Sequence, residues 1–299
     1  MSPEAVAFGG RAVDLGRGLV LANPVGVASG TFGYGFEFEQ LIDIQRIGAV
    51  YTKGTTREPR PGNPPPRVAE TVGGMLNSIG LQNPGVEHVA SVYAPRFAAW
   101  RVPVIVNVAG GDADEYVQCA RRLEVAGVAG LELNISCPNI AHGMDFGRDP
   151  EAAARLVAAV RRATDMALVV KLSPNVADIA AIARAVEGAG ADAISAVNTF
   201  VGSKIHAHTG RPVLPRGTGG MSGPAIRPLA VAAVAAVRAA VRIPVVGIGG
   251  IMSGPDAREH LAAGAAAIQV GTANFVHPDA ALSVLDELAA SGAPAAVPR

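Results

Sequence analysis

The strongest constraint on the fold is an alternation of short apolar runs with longer stretches rich in Ala, Leu, Val and Arg. The eight runs are PVGVAS (24–29), GAVYTK (48–53), PVIVNV (103–108), GLELNI (130–135), ALVVKL (167–172), DAISAV (192–197), PVVGIG (244–249) and AAIQVG (266–271). Runs that are apolar almost throughout are typical of parallel strands whose sheet is covered by helices. The alternation therefore predicts repeated βα units.

Helix-like stretches follow most of these runs. Examples are ADEYVQCARRLEVAG (113–127), DPEAAARLVAAVRRAT (149–164), NVADIAAIARAVEGAG (175–190) and AIRPLAVAAVAAVRAAV (225–241). Eight βα units without a change of composition along the chain predict one closed (β/α)8 barrel, a single domain over residues 1–299. A doubly wound open sheet is the competing fold, although it usually needs fewer strands and no dinucleotide-binding fingerprint follows the first run.

Composition and charge exclude several classes of partner. Lys+Arg and Asp+Glu number 25 each, so no excess of positive charge favours nucleic acid or an anionic membrane. No apolar run reaches the roughly 18 residues of a membrane span, and the N-terminus does not have the pattern of a secretory signal. The two cysteines, Cys119 and Cys137, are too few for a disulfide framework or an iron–sulfur cluster, and no metal site is expected. We therefore expect a cytoplasmic protein with free thiols.

Polar side chains follow most of the predicted strands. In a (β/α)8 barrel the carboxyl ends of the strands form the active site, so these residues would meet at one face. The strand ends carry Ser29, Lys53, Asn107, Asn134, Cys137, Lys171, Asn198 and Thr199. Single Asn or Thr residues could simply cap loops and helices, but two lysines in apolar surroundings need an anionic or electron-rich partner. The pattern predicts a polar ligand.

Glycine-rich turns suggest that this ligand carries a phosphate. GIGGIMSGPDAREHL offers Gly249 and Gly250 before a helix that begins near Ser253, and GTANF offers Gly271 and Thr272. TGGMSGPAIRP (218–228) adds a third such turn. Exposed N–H groups at a helix start bind anions, and phosphate sites recur after strands seven and eight of this fold.

The two cysteines occupy different contexts. Cys119 lies in the middle of a helix-like stretch and is predicted to be a buried structural residue. Cys137 lies in LELNISCPNIAHG, where a strand passes into a polar loop. Its context fits either a reactive thiol at the active-site face or a structural cysteine beside a proline bend.

Taken in order, ten motifs resemble one family along nearly the whole chain, from Asn23 to Pro278. They are NPVGVASGTFGYG, YTKGTT, NSIGLQNPG, VNVAG, LNISCPN, VVKLSP, VNTF, TGGMSGPAI, VGIGGI and VGTANF. Together they resemble the dihydroorotate dehydrogenases, flavin enzymes of pyrimidine synthesis. The cysteine of NISCPN is similar to the base of the soluble class 1 enzymes, whereas the membrane-associated enzymes carry serine. YTKGTT and CPNIAHGMDFGRDP are more similar to the NAD-linked class 1B subgroup than to the fumarate-using class 1A subgroup.

The resemblance implies a role for each matching residue. Cys137 would be the catalytic base, assisted by Lys53 and Lys171. The residues implied to bind FMN are Ser29, Lys53, Gly54, Asn107, Asn134, Lys171, Val197, Gly223, Gly249, Gly250, Gly271 and Thr272. Those implied to bind dihydroorotate or orotate are Lys53, Asn77, Ser78, Ile79, Gly80, Leu81, Asn134, Asn198 and Thr199.

The resemblance also implies partners. This chain has no Rossmann fingerprint for NAD and too few cysteines for a four-cysteine cluster. An NAD-linked enzyme would then need a separate electron-transfer subunit carrying FAD and a 2Fe–2S cluster, and the barrels would form a homodimer. Three alternatives stay open: a fumarate-using enzyme, a phosphate-binding isomerase or aldolase that uses Lys171 as a Schiff base, and a non-catalytic scaffold.

Overall fold

The computed structural model describes residues 12–136 and 146–290, and eight parallel strands in these ranges close into a barrel. The barrel strands are β1 (Val25–Val27), β2 (Ala49–Tyr51), β3 (Val104–Val108), β4 (Gly130–Asn134), β5 (Ala167–Lys171), β6 (Ala193–Ala196), β7 (Val245–Ile248) and β8 (Ala267–Val270). They follow one another around the barrel in chain order, and β8 pairs with β1 through Ile268 and Val25. The predicted (β/α)8 barrel is therefore confirmed, and each of the eight apolar runs contains one strand.

Helices cover the outside of the barrel. They span Val86–His88 and Ala94–Phe97, joined by a π-helical turn at Val89–Tyr93, and then Ala113–Leu123, Pro150–Arg161, Ile179–Gly188, Arg227–Ala240, Gly254–Ala262 and Ala280–Ala290. Short 3-10 turns lie at Ile44–Arg46, Pro224–Ile226 and Thr272–Phe275. The side chains of the helices pack with the outward residues of the strands into one large apolar core.

Capping side chains decide where several of these helices begin. Asp178 accepts a hydrogen bond from the backbone N–H of Ala181, so the predicted stretch 175–190 becomes a helix only from Ile179. Ser253 caps the helix Gly254–Ala262 through the N–H of Asp256, at the position that the sequence indicated. Asp112 and Asp149 cap the helices that follow them in the same way.

A second, antiparallel sheet lies over the carboxyl end of the barrel. This cover sheet consists of Val68–Thr71, Gly74–Asn77, Gly219–Ser222 and Phe200–Gly202, in the spatial order 68–71, 74–77, 219–222, 200–202. The sequence did not predict it. The segment 218–228, interpreted as a glycine-rich turn, instead contributes a strand before its helix starts at Arg227.

A short hairpin closes the opposite end of the barrel. Val13–Asp14 pairs with Val20–Leu21, and the buried side chains of Leu15 and Leu19 pack against residues at the amino ends of several strands. The barrel is therefore filled from its amino end, which leaves the carboxyl end for a ligand. Within the described ranges, no helix combines the length and apolarity needed to cross a membrane.

Candidate active site

A cavity of about 550 Å³ lies between the carboxyl ends of the strands and the cover sheet. This volume falls in the range of about 300–1,000 Å³ that is usual for small-molecule sites. All predicted site residues in the described ranges line it: Ser29, Lys53, Gly54, Asn77, Ser78, Ile79, Gly80, Leu81, Asn107, Asn134, Lys171, Val197, Asn198, Thr199, Gly223, Gly249, Gly250, Gly271 and Thr272. Cys137 falls in 137–145, outside the described residues, directly after the lining residue Ser136.

The lining of the cavity is basic. Lys53, Lys171, Arg148 and Arg216 contribute to it, and among the described residues that line it there is no Asp or Glu. The sequence prediction did not include Arg148 or Arg216, because each lies in a polar loop away from a strand end. A cavity with this charge favours an anionic ligand such as a phosphate or carboxylate.

The floor of the cavity, formed by Ser29, Asn107 and Lys171, is linked by hydrogen bonds and an ion pair to Glu132, which lies beneath it. Nζ of Lys171 donates to Oγ of Ser29 at 3.1 Å and lies 4.0 Å from Oε2 of Glu132. Nδ2 of Asn107 donates to the same Glu132 oxygen at 2.6 Å and to Ser29 Oγ at 3.3 Å. The buried ammonium therefore has the partners that its position in the apolar strand required.

Glu132 was missed in the sequence prediction, which counted it as part of an apolar strand. Its carboxylate is fully buried inside the barrel and also accepts hydrogen bonds from Ser195 Oγ at 2.8 Å and Gln269 Nε2 at 3.0 Å. A charged residue in the middle of GLELNI was the available signal, since buried carboxylates persist only when they are paired.

The turns predicted to hold phosphate present backbone rather than bulky side chains. Gly249 and Gly250 adopt φ of +125° and +72°, and a Cβ added to Gly250 would lie 2.5 Å from Cβ of Arg227. At Gly271, by contrast, an added Cβ would meet nothing closer than 3.5 Å. Thr272 Oγ1 and Ser222 Oγ, 2.9 Å apart, add two hydroxyl groups to this end of the cavity.

The loop after β7 is fixed from below. His260 is fully buried, and its Nε2 donates to the carbonyl of Gly249 at 3.0 Å. Burial lowers the pKa of His260, which favours the neutral ring. Asp256 accepts from the backbone N–H of Met252 at 2.9 Å and pairs with Arg227. The backbone N–H groups of this loop therefore have a fixed geometry before any ligand arrives.

The side of the cavity under the cover sheet, called the open side below, has polar groups with fewer hydrogen-bonding partners than the floor has. Lys53 is half-buried, and its ammonium makes no hydrogen bond or ion pair within the part of the chain that the structure describes. Burial lowers the pKa of Lys53, the positive charge of Arg67 adds to this effect, and Glu37 opposes it. An anionic ligand would offset both unfavourable contributions.

Amide side chains supply donors and acceptors on the same side. Asn198 Nδ2 donates to Asn134 Oδ1 at 3.2 Å, and Asn77 Nδ2 donates to the Gly220 carbonyl at 3.1 Å. Asn175, which the sequence analysis did not predict, donates to the Thr199 carbonyl at 3.0 Å and accepts from the Val201 N–H at 2.9 Å. Asn175 thereby connects the carboxyl end of β5 to the cover sheet.

The cavity fits a flavin phosphate. The fit rests on three observations: a basic lining whose described residues include no carboxylate, Cβ-free backbone at Gly249, Gly250 and Gly271, and apolar side chains such as Val197 and Ile248 that can contact a planar ring. Cys119, in contrast, is fully buried in the helix Ala113–Leu123, and burial raises the pKa of its thiol to about 12. The prediction of an inert structural role for Cys119 is consistent with these surroundings.

Comparison with known proteins identifies the family. The family model for dihydroorotate dehydrogenase matches residues 16–291. Three relatives named dihydroorotate dehydrogenase B (NAD(+)), catalytic subunit, come from Desulforamulus reducens, Trichlorobacter lovleyi and Listeria monocytogenes, and are 52%, 53% and 50% identical to this chain. The matches cover 92%, 92% and 91% of this chain and 90% of each relative. The family predicted from the motifs is thus confirmed, and the chain belongs to the dihydroorotate dehydrogenase family.

Proposed function

We propose that this chain is the catalytic subunit of an NAD-linked dihydroorotate dehydrogenase, which oxidises (S)-dihydroorotate to orotate in pyrimidine biosynthesis. Membership of the family implies a flavin, and we propose that it is FMN. The observation that carries the proposal is the convergence of Lys53, Asn134, Lys171 and Asn198 with the glycine turns on one basic cavity. The ammonium and the amides suit a cyclic urea that carries a carboxylate. The glycine turns, with their backbone N–H groups, suit the phosphate of a flavin.

The side chains under the cover sheet would bind the substrate. Lys53 would pair with its carboxylate, since Lys53 carries an ammonium without a partner in the described ranges. Asn77, Asn134 and Asn198 would bind the urea-like edge of the ring, which presents both donors and acceptors. Two contact types would therefore fix the ring in one orientation.

The proton and the hydride leave in different directions. When bound, FMN supplies a hydride acceptor, N5, for the hydrogen at C6 of the substrate. Cys137 would remove the proton from C5, and because a free thiol has a pKa of about 8.5, the rate should rise toward alkaline pH. Lys171, held at the floor, would place a positive charge where the reduced cofactor gains negative charge.

A separate subunit completes the proposal. The relatives carry the words catalytic subunit and NAD(+) in their names. We propose that a second chain with FAD and a 2Fe–2S cluster passes electrons to NAD, and that two barrels form a homodimer. A cytoplasmic location is part of the same proposal, because the cytosol keeps thiols reduced and a thiol is the proposed base.

The alternatives are not favoured. A Schiff-base enzyme needs a neutral, accessible amine, whereas Lys171 is buried, donates to Ser29 and lies 4.0 Å from a carboxylate. A scaffold would not require two lysines and six asparagines to line one cavity. The names of the relatives given above contain NAD(+) and do not mention fumarate.

The test is to assay the purified chain with several electron acceptors. The chain should be yellow, should reduce a dye with dihydroorotate, and should fail to reduce NAD until the electron-transfer subunit is added. Rapid NAD reduction by this chain alone would contradict the two-subunit proposal. Efficient fumarate reduction would assign the chain to the fumarate-using class, and a colourless chain without turnover would contradict the whole proposal.

A further inference from the structure

Glu132 is the centre of the polar network beneath the cavity. It lies on β4, it is fully buried, and four other strands contribute partners: Asn107 on β3, Lys171 on β5, Ser195 on β6 and Gln269 on β8. Its two oxygens have separate partners. Oε1 accepts from Ser195 and Gln269, whereas Oε2 accepts from Asn107 and faces Lys171.

This arrangement fixes the orientation of one amide in the wall of the cavity. A carboxylate can only accept, so the Asn107 atom at 2.6 Å from Oε2 must be the nitrogen. The second N–H of the same nitrogen points to Ser29 Oγ at 3.3 Å. Turning the amide over would bring Oδ1 of Asn107 against a carboxylate oxygen, which is electrostatically unfavourable.

The oxygen of Asn107 is the atom left for a ligand. A Cβ added to Gly54, which lines the cavity, would lie 3.1 Å from Asn107 Oδ1, so this oxygen faces the Gly54 side of the cavity. Both N–H groups of the amide have partners in the floor. Asn107 Oδ1 therefore presents a hydrogen-bond acceptor to the cavity at this position.

We propose that Glu132 is a positioning residue that sets the hydrogen-bond polarity of the flavin pocket. It holds Asn107 as an acceptor, so the ring edge that binds beside it must present an N–H. The identity of that ring as flavin rests on the proposed function. Glu132 does not touch the ligand itself, because it is completely enclosed by its neighbours.

The network permits a test by removal of the acceptor and a test by exchange of polarity. In Glu132→Leu, the acceptor that faces Asn107 is lost, so the amide is no longer held with its oxygen toward the cavity. In Asn107→Asp, two carboxylates face each other. In the double variant Glu132→Gln/Asn107→Asp, the introduced glutamine donates to the introduced aspartate. That aspartate again offers an acceptor to the cavity, and one negative charge remains near Lys171.

The affinity of each apoprotein for FMN is measured by quenching of flavin fluorescence, with circular dichroism melting as a check on folding. Glu132→Leu and Asn107→Asp should each bind FMN about 10- to 100-fold more weakly, the effect expected when a buried N–H of the ligand is left without a well-placed acceptor. The double variant should regain most of this loss. Ser195→Ala, which removes a donor from Oε1 only, is the matched control and should stay within about threefold of the unaltered chain.

Three results would overturn the inference: Glu132→Leu with unchanged affinity, a double variant that binds no better than Asn107→Asp, or Ser195→Ala as weak as Glu132→Leu. If Glu132→Leu does not fold, a folded double variant that binds FMN more tightly than Asn107→Asp still supports the exchange. Dihydroorotate turnover is assayed separately. If the unaltered chain bound FMN but failed to oxidise dihydroorotate, the proposed function would fail while the titrations still decided the role of Glu132.

Discussion

The floor of the cavity and the side under the cover sheet differ in how far their polar groups are already partnered. On the floor, Lys171 contacts Ser29 and Glu132, and the carboxylate has three further donors. Under the cover sheet, Lys53 has no hydrogen-bonding partner in the described ranges and burial lowers its pKa. One cavity thus holds one lysine that is already paired and one that has no partner among the described residues.

The difference indicates a division of labour. Groups that are fixed before binding cost no reorganisation when charge develops, which suits the cofactor side of a redox site. Groups that lack partners gain most from an incoming anion, which suits the substrate side. Substitutions on the floor should therefore affect folding and cofactor affinity, whereas substitutions on the open side should affect substrate binding and turnover.

The largest expected effect concerns Cys137, which follows the cavity-lining residue Ser136 in the sequence. Cys137→Ala should lower dihydroorotate oxidation about 10²- to 10⁴-fold, because a general base is lost, while FMN content and melting temperature stay unchanged. Stopped-flow reduction of the flavin measures the rate. Cys137→Ser should keep a trace of activity that rises with pH, and near-normal turnover of the Ala variant would remove Cys137 from the mechanism.

The two lysines should differ in their effect on folding. Lys171→Met removes a partner from a buried carboxylate and should lower the free energy of unfolding by about 3 kcal/mol. Lys53→Met changes a half-exposed group that has no hydrogen-bond or ion-pair partner among the described residues, and it should change the free energy of unfolding by no more than about 0.5 kcal/mol. Urea unfolding of the flavin-free proteins gives both values, and equal losses for the two variants would contradict the distinction between floor and open side.

The lowered pKa of Lys53 predicts a dependence of kcat/KM on pH. The free enzyme loses the Lys53 proton at a lower pH than an ordinary lysine would, so the substrate carboxylate loses its charge partner as the pH rises through that value. The profile of kcat/KM should therefore fall on its alkaline side. In Lys53→Arg the guanidinium stays charged, and this fall should move to higher pH. An unchanged alkaline limb in the Arg variant would exclude Lys53 as its source.

The smallest effect is expected at the phosphate end. Gly271→Ala should leave the flavin-free protein as stable as the unaltered chain, since its Cβ would meet nothing closer than 3.5 Å, yet FMN should bind several-fold more weakly because the methyl group lies at the cavity wall. Gly250→Ala is the comparison. Its positive φ and the clash with Arg227 should reduce stability in the absence of FMN. Full FMN affinity in a folded Gly271→Ala protein would place the phosphate elsewhere.

The barrel could be predicted because its signals are local. Each strand is a short apolar run, as in PVIVNV, where the strand is Val104–Val108. The cover sheet could not be predicted because its strands, such as Gly219–Ser222 and Gly74–Asn77, contain glycine and polar residues without alternation. The pairing that joins these two strands connects segments more than 140 positions apart in the chain, so no local pattern announces it.

The candidate site also contains some residues that could be predicted from the sequence and others that could not. Residues at strand ends could be predicted, since the fold itself brings them to one face. Glu132 and Gln269 were missed because each lies within an apolar strand run, and their partners become apparent only when the barrel closes. Asn175 and Arg216 lie in loops whose position depends on the cover sheet, so no local pattern marked them.

Anaerobic mixing of the purified chain with dihydroorotate tests most directly that this cavity binds FMN and oxidises dihydroorotate. We expect the flavin absorbance to bleach within the time of a catalytic turnover and one orotate to form for each flavin reduced, without any other protein. An FMN-loaded chain that keeps its full absorbance in the presence of saturating dihydroorotate would contradict the proposed function.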